Sequence, residues 1–211
     1  MTARALEQSP VHQQGGNLPP GAPPNGNGGS GGGGILADPA RLGLWLFLGT
    51  ITMLFIGFTS AYIARRASAG WGGELTPPPL LWVNTLLLLA SSVTVEAARR
   101  RLRRWEPGVT TWLGLTGVLG ALFVAGQVAV WRSLTAHGVL LAASAHNSFF
   151  YMLTGLHVVH LLGALVWFLA VLTKARRLAY TPGQDGLGLF ATFWHFLGGL
   201  WVYLFLLLFV F

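Results

Sequence analysis

The sequence predicts an all-α integral membrane protein, a five-transmembrane-helix bundle behind a disordered N-terminal tail. Composition points there first: of 211 residues 53% are hydrophobic and 9% charged, against roughly 25% charged in an ordinary soluble domain. Mean hydropathy is +0.59. Five apolar runs follow one another between short polar connections. Each has the about 20 residues that, at a rise of about 1.5 Å per residue, cover the hydrocarbon core of a bilayer.

Residues 1–37 are low in complexity, rich in Gly and Pro, and end in the run GGSGGGG. Such a segment cannot bury enough apolar area to offset its ordering entropy, so it is expected to be a disordered cytoplasmic tether. It has no apolar core of the kind a signal peptide carries. Residues 38–211 are expected to form the transmembrane domain. Asp38-Pro39 opens the first helix with a capping carboxylate and a proline at the first helical position. That helix is expected over about 39–65, with Gly43, Thr50 and Gly57 at seven-residue intervals. Trp71 and Pro77-Pro78-Pro79 mark a connection, and a second helix is expected over about 80–104. Glu106-Pro107-Gly108 reads as a turn into a third helix over about 109–134, with Gly114, Gly117 and Ala121 on one face. The fourth is expected over about 146–173. A loop holding Lys174, Arg176, Arg177 and Pro182-Gly183 leads to the fifth, over about 187–211.

The net charge of +7 raises the question of nucleic acid. The arginines stand at the ends of the apolar runs, so they read as orientation signals and no nucleic-acid partner is expected. Ten basic residues fall on the side of the N-terminus and of the 2–3 and 4–5 loops, and three (Arg65, Arg66, Arg132) on the other. The N-terminus is therefore expected in the cytoplasm and Phe211 on the outer side. Arg99, Arg100, Arg101, Arg103 and Arg104 form a dense patch expected to attract anionic lipid headgroups. With no cysteine there is no disulfide, thiolate ligand or iron–sulfur site.

The fourth and fifth runs carry the chemistry. His146, His157 and His160 fall within roughly a 60° stripe of one helix, and polar groups in lipid are costly, so the stripe should face protein. On the fifth helix Gly188, Ala191, Thr192, His195, Gly198 and Gly199 share a face. Small residues let backbones approach closely, so the two helices are expected to pack histidine face to glycine face. His160 and His195 lie about 20 and about 12 Å from the cytoplasmic ends. Three readings are open: a haem held by both imidazoles, another metal, or structural histidines that fix packing and touch lipid. The difference in depth, the absence of a zinc-type HExxH and the lack of a carboxylate in the helical cores favour the last. Glu96 is expected to pair with Arg99 or Arg100, with a proton-antenna role as the sharper alternative. Ser91, Ser92 and Thr94 are expected to bond to their own helix. There is no Walker-type loop, nucleophile elbow or carboxylate pair, and no repeat of the transporter kind.

The stretches SFFYMLTGLHVVH, FWHFLGGLW and LLWVNTLLLLASSVT together resemble subunit III of the haem-copper terminal oxidases. The likeness runs from about Arg41 to Phe211, and five helices resemble the family's short bacterial form. The resemblance implies a non-catalytic subunit of a proton-pumping respiratory complex in the bacterial plasma membrane. Haems and copper would sit in partner subunits, with no metal or redox cofactor in this chain. It also implies direct packing on subunit I, association with subunit II, bound phospholipid, and cytochrome c as electron donor to the complex, with quinol as the alternative. The matching residues Thr154, Gly155, His157, His160, Trp194, His195 and Trp201 would serve packing and lipid contact.

At three places the chain departs from that family's pattern, and each loses a carboxylate: Ile51, Val130 and Gly198 stand where acidic residues are usual. A carboxylate kept in lipid usually has a task, so these losses imply a structural, lipid-organising role. A membrane cytochrome b anchor with a bis-histidine haem is the alternative of another class.

Overall fold

The computed structural model describes residues 38–67, 77–140, 144–177 and 186–210. The expectations for the tail (1–37), Trp71, Pro182-Gly183 and Phe211 lie outside those residues. Five helices follow in order: α1 (Pro39–Arg66), α2 (Pro79–Arg103), α3 (Val109–Ala136), α4 (Ala145–Arg176) and α5 (Gly186–Phe209). All five are long and apolar enough to cross a bilayer.

The ends are set by local chemistry. Asp38 caps α1 by accepting from the Ala40 amide at 3.0 Å, with Pro39 in the first turn. Ser144 caps α4 the same way, accepting from Asn147 N at 3.1 Å, which starts the helix just ahead of His146. Both α2 and α3 end in the same hydrogen-bonded turn. At the end of α2, Glu106 N donates to Arg101 O (3.0 Å) and Trp105 N to Leu102 O (3.3 Å). At the end of α3, Val139 N donates to Leu134 O (3.0 Å) and Gly138 N to Thr135 O (3.1 Å). The left-handed residue is Gly138 in one turn, at φ 79°, and Trp105 in the other, at φ 55°.

Helices α2, α3, α4 and α5 pack as a closed ring, each against the next and α5 back against α2. Helix α1 stands outside the ring, against α4 and α5. Large side chains seated on glycines hold the ring's register. Phe168 of α4 covers Gly117, Trp194 of α5 covers Gly120, and Asn84 of α2 covers Gly126. A Cβ at any of these would collide with the side chain above it, so close approach explains all three glycines. Of the small α3 residues singled out by sequence, Gly117 serves this purpose. Gly114 meets open space and Ala121 is exposed, and the covered glycines of α3 meet three different helices instead of sharing one face. On α1, Gly43 and Gly57 also meet open space, and its contacts run instead through Phe47–Phe193 and Tyr62–Phe149, both at 5.7 Å between ring centroids.

Apolar side chains cover the outside as well as the inside. Met53, Leu86, Val93, Val118, Val159 and Val166 all point outward, as lipid-facing residues do. The interior holds Leu81, Leu113, Phe123, Phe150, Leu161 and Phe190.

Candidate functional site

The residues singled out on α4 and α5 divide between the ring interior and its two flanks. His157 is fully buried. Its ring lies 5.2 Å from that of Trp201, tilted by 37°, and 6.1 Å from that of Phe123, edge to face. Trp201 in turn donates its indole N–H to Thr85 Oγ1 on α2 at 3.1 Å. Trp194 donates to Ser91 Oγ, also on α2, at 3.0 Å, and the Ser91 hydroxyl donates to Leu88 O. Thr154 donates to Phe150 O at 2.6 Å and accepts from the Trp131 indole of α3 at 3.2 Å. Between α2 and α3 the Thr94 and Thr116 hydroxyls meet at 2.8 Å.

These bonds share a logic. An indole offers a broad apolar surface and one N–H that must be satisfied when buried. A threonine or serine whose hydroxyl proton is already given to its own helix keeps lone pairs free for that N–H. Ser91 and Thr94 do bond to their own helix, as expected. The cross-helix half of each contact is the part the sequence did not disclose.

The expected packing of a histidine face on a glycine face is corrected. Helix α5 meets α4 through aromatic rings: Trp201 on His157, Phe190 on Trp167 and Phe168, Phe209 on Phe150. The glycines look elsewhere. A Cβ on Gly198 would stand 3.2 Å from Ser92 Oγ of α2, and one on Gly199 would meet open space. The reason is area: a buried imidazole leaves a wide surface that an indole fills and a glycine cannot. Gly155 likewise makes no close approach, since a Cβ there would meet open space.

His160 and His195 face different helices. His160 is half-buried, with Nδ1 2.8 Å from Leu156 O on its own helix and its ring 5.9 Å from Phe55 of α1. His195 is partly exposed, its Nε2 3.9 Å from Glu96 Oε2 on α2. A haem clasped between these two imidazoles does not fit such a placement. Among the described residues no three His, Cys, Asp or Glu side chains gather to hold a metal.

Glu96 binds both expected arginines, Arg100 Nε at 3.3 Å and Arg99 Nη1 at 3.5 Å. The rest of the basic patch is partly tied down. Arg101 donates to Pro107 O at 3.0 Å and lies over the Trp112 ring, and Arg104 reaches Glu106 at 3.8 Å. Arg103 is exposed. Ile51 and Val130 are buried in apolar surroundings.

A family model described as cytochrome c oxidase subunit III matches residues 34–211. The chain belongs to the cytochrome c oxidase subunit III family. It is 33% identical to a probable cytochrome c oxidase subunit 3 of Mycobacterium tuberculosis, over 78% of this chain and 84% of that one. Against the cytochrome c oxidase subunit 3 of Corynebacterium diphtheriae the figures are 31%, 78% and 84%. Against a quinol oxidase subunit 3 of Bacillus spizizenii they are 31%, 78% and 83%. As a subunit III of a haem-copper oxidase, the chain is a multi-pass membrane protein that assembles with other subunits of an oxidase complex.

Sequence reasoning passed over Asn84 and Gln127, buried inside the ring, and half-buried Thr85, which accepts from Trp201. The available signal was plain: an uncharged polar side chain inside an apolar helix must turn toward protein.

Proposed function

We propose that this chain is the non-catalytic subunit that packs directly on oxidase subunit I of a cytochrome c-oxidising complex, steadying it and organising lipid around it. The observation that carries this is the make-up of the ring interior. Indole–hydroxyl bonds and ring contacts join α2 to α5, α3 to α4 and α4 to α5; Val130 inside the ring and Ile51 on α1 are buried and apolar, where the resemblance implies carboxylates. A rigid, uncharged interior suits a scaffold better than a site of electron or proton transfer.

In this reading haems and copper belong to the partner subunits, and subunit II receives electrons from cytochrome c. Thr154, His157, Trp194 and Trp201 hold the helices together, while Gly155, His160 and His195 lie toward neighbouring chains or lipid. An apolar groove of about 460 Å³ between α1 and α5, lined by Thr52, Phe55, Phe196, Gly199 and Tyr203, suits an acyl chain. The exposed ends of Arg100, Arg103 and Arg104 suit anionic headgroups on the cytoplasmic leaflet of a bacterial inner membrane, with the N-terminus on that side and the C-terminus outside.

Quinol is the second reading for the donor, favoured by the likeness to the quinol oxidase subunit 3. Oxygen uptake by the purified complex distinguishes the two. Turnover with reduced cytochrome c and not with quinol supports the first, and the reverse overturns it.

A further inference from the structure

We propose that Asn84, Gln127 and His157 form a buried water-binding site, a single hydrated layer across the α2–α5 ring. Asn84 is 1% exposed, and Gln127 and His157 are 0% exposed. Both polar atoms of each, the Asn84 and Gln127 amide groups and the two His157 ring nitrogens, have no hydrogen-bond partner among the described residues.

Register places the three at one level. Asn84 sits on Gly126, one residue from Gln127, in step with the Thr94–Thr116 pair farther along the same two helices. Gly117–Phe168 and Trp131–Thr154 fix α3 against α4. Carried along, that register brings Gln127 beside Val158, next to His157. Phe123, one turn from Gln127 on α3, touches the His157 ring. Trp201 stacks beside His157 and closes the circuit through its bond to Thr85, the neighbour of Asn84. All four ring helices thus contribute at one depth.

The chemistry of the layer selects its occupant. A buried polar group without a partner is strongly unfavourable, more so in a bundle surrounded by lipid. Each amide offers donors and an acceptor, and neutral imidazole offers one of each. The residues that form the layer carry no formal charge to balance an ion. What fits is a small neutral molecule that both donates and accepts, with two to four polar partners, and water meets that description. The buried Phe123 and Trp201 rings border the layer at His157.

The test is a map of the complete oxidase complex carrying this chain, at a resolution where ordered waters are visible. A water within hydrogen-bond distance of at least two of Asn84, Gln127 and His157 is the expected result. A dry layer, or side chains bonded directly to one another, overturns the proposal. A second measurement uses the sign of one substitution in the same complex. Gln127→Met keeps the unbranched shape and removes both polar atoms. With water bound it lowers the temperature at which the chain leaves the complex. If the amide is simply orphaned, the temperature stays the same or rises, and the proposal fails.

Discussion

The His195 imidazole and the Glu96 carboxylate stand 3.9 Å apart, nitrogen to oxygen, and so tie the middle of α5 to the basic end of α2. Glu96 also holds Arg99 and Arg100, which makes it the hub of a small charged cluster on an otherwise apolar pair of helices. Glu96→Gln keeps the shape and removes the charge. Because the carboxylate is 30% exposed, the expected cost is modest, at most about 1 kcal/mol. Thermal unfolding in detergent checks it, and the difference from wild type should shrink at high salt.

Trp194 over Gly120 is the tightest large-on-small contact between α5 and α3. Gly120→Ala forces a methyl into that ring and should destabilise by about 1–3 kcal/mol. Trp194→Phe should cost about 1–3 kcal/mol, through the lost bond to Ser91 and the cavity left by the smaller ring, and it makes room near Gly120. In a double-mutant cycle the pair should therefore cost less than the sum of the two. Strict additivity would show that the contact is not shared.

Much of this arrangement was legible beforehand and part was not. Length and apolarity located five helices, and Asp38-Pro39 announced its cap in plain chemistry. The motif residues of α4 and α5 also led to the right family. What a helical wheel cannot say is which neighbour a face meets. His157 and Gly198 lie on sides of α4 and α5 that look inward, yet one meets an indole and the other a serine hydroxyl of α2. That choice depends on helix order around the ring, which comes from long-range packing. The same gap hid the link between His195 and Glu96, each singled out in the sequence but far apart along it and never joined.

Trp105 occupies the left-handed position that Gly138 fills in the equivalent turn of α3. An L-residue there costs roughly 1–2 kcal/mol relative to glycine. The Trp105 side chain is largely exposed, so little packing is lost with it. Trp105→Gly should therefore raise the thermal midpoint, whereas Gly138→Ala should lower it.

Val130 is fully buried in α3. Val130→Glu should impair assembly, because a carboxylate at this fully buried position loses its hydration. Normal yield of the complex from Val130→Glu cells would show that the site still accommodates an acid.

What accompanies this chain out of the membrane decides whether it is a scaffold subunit of an oxidase. Affinity purification in mild detergent, with subunit identification and a reduced-minus-oxidised spectrum, measures that. Co-recovery of a haem-copper subunit I, with all haem absorbance leaving with it when the chain is stripped away, is the predicted result. Recovery of the chain alone, or a haem band that stays with the isolated chain, would contradict it.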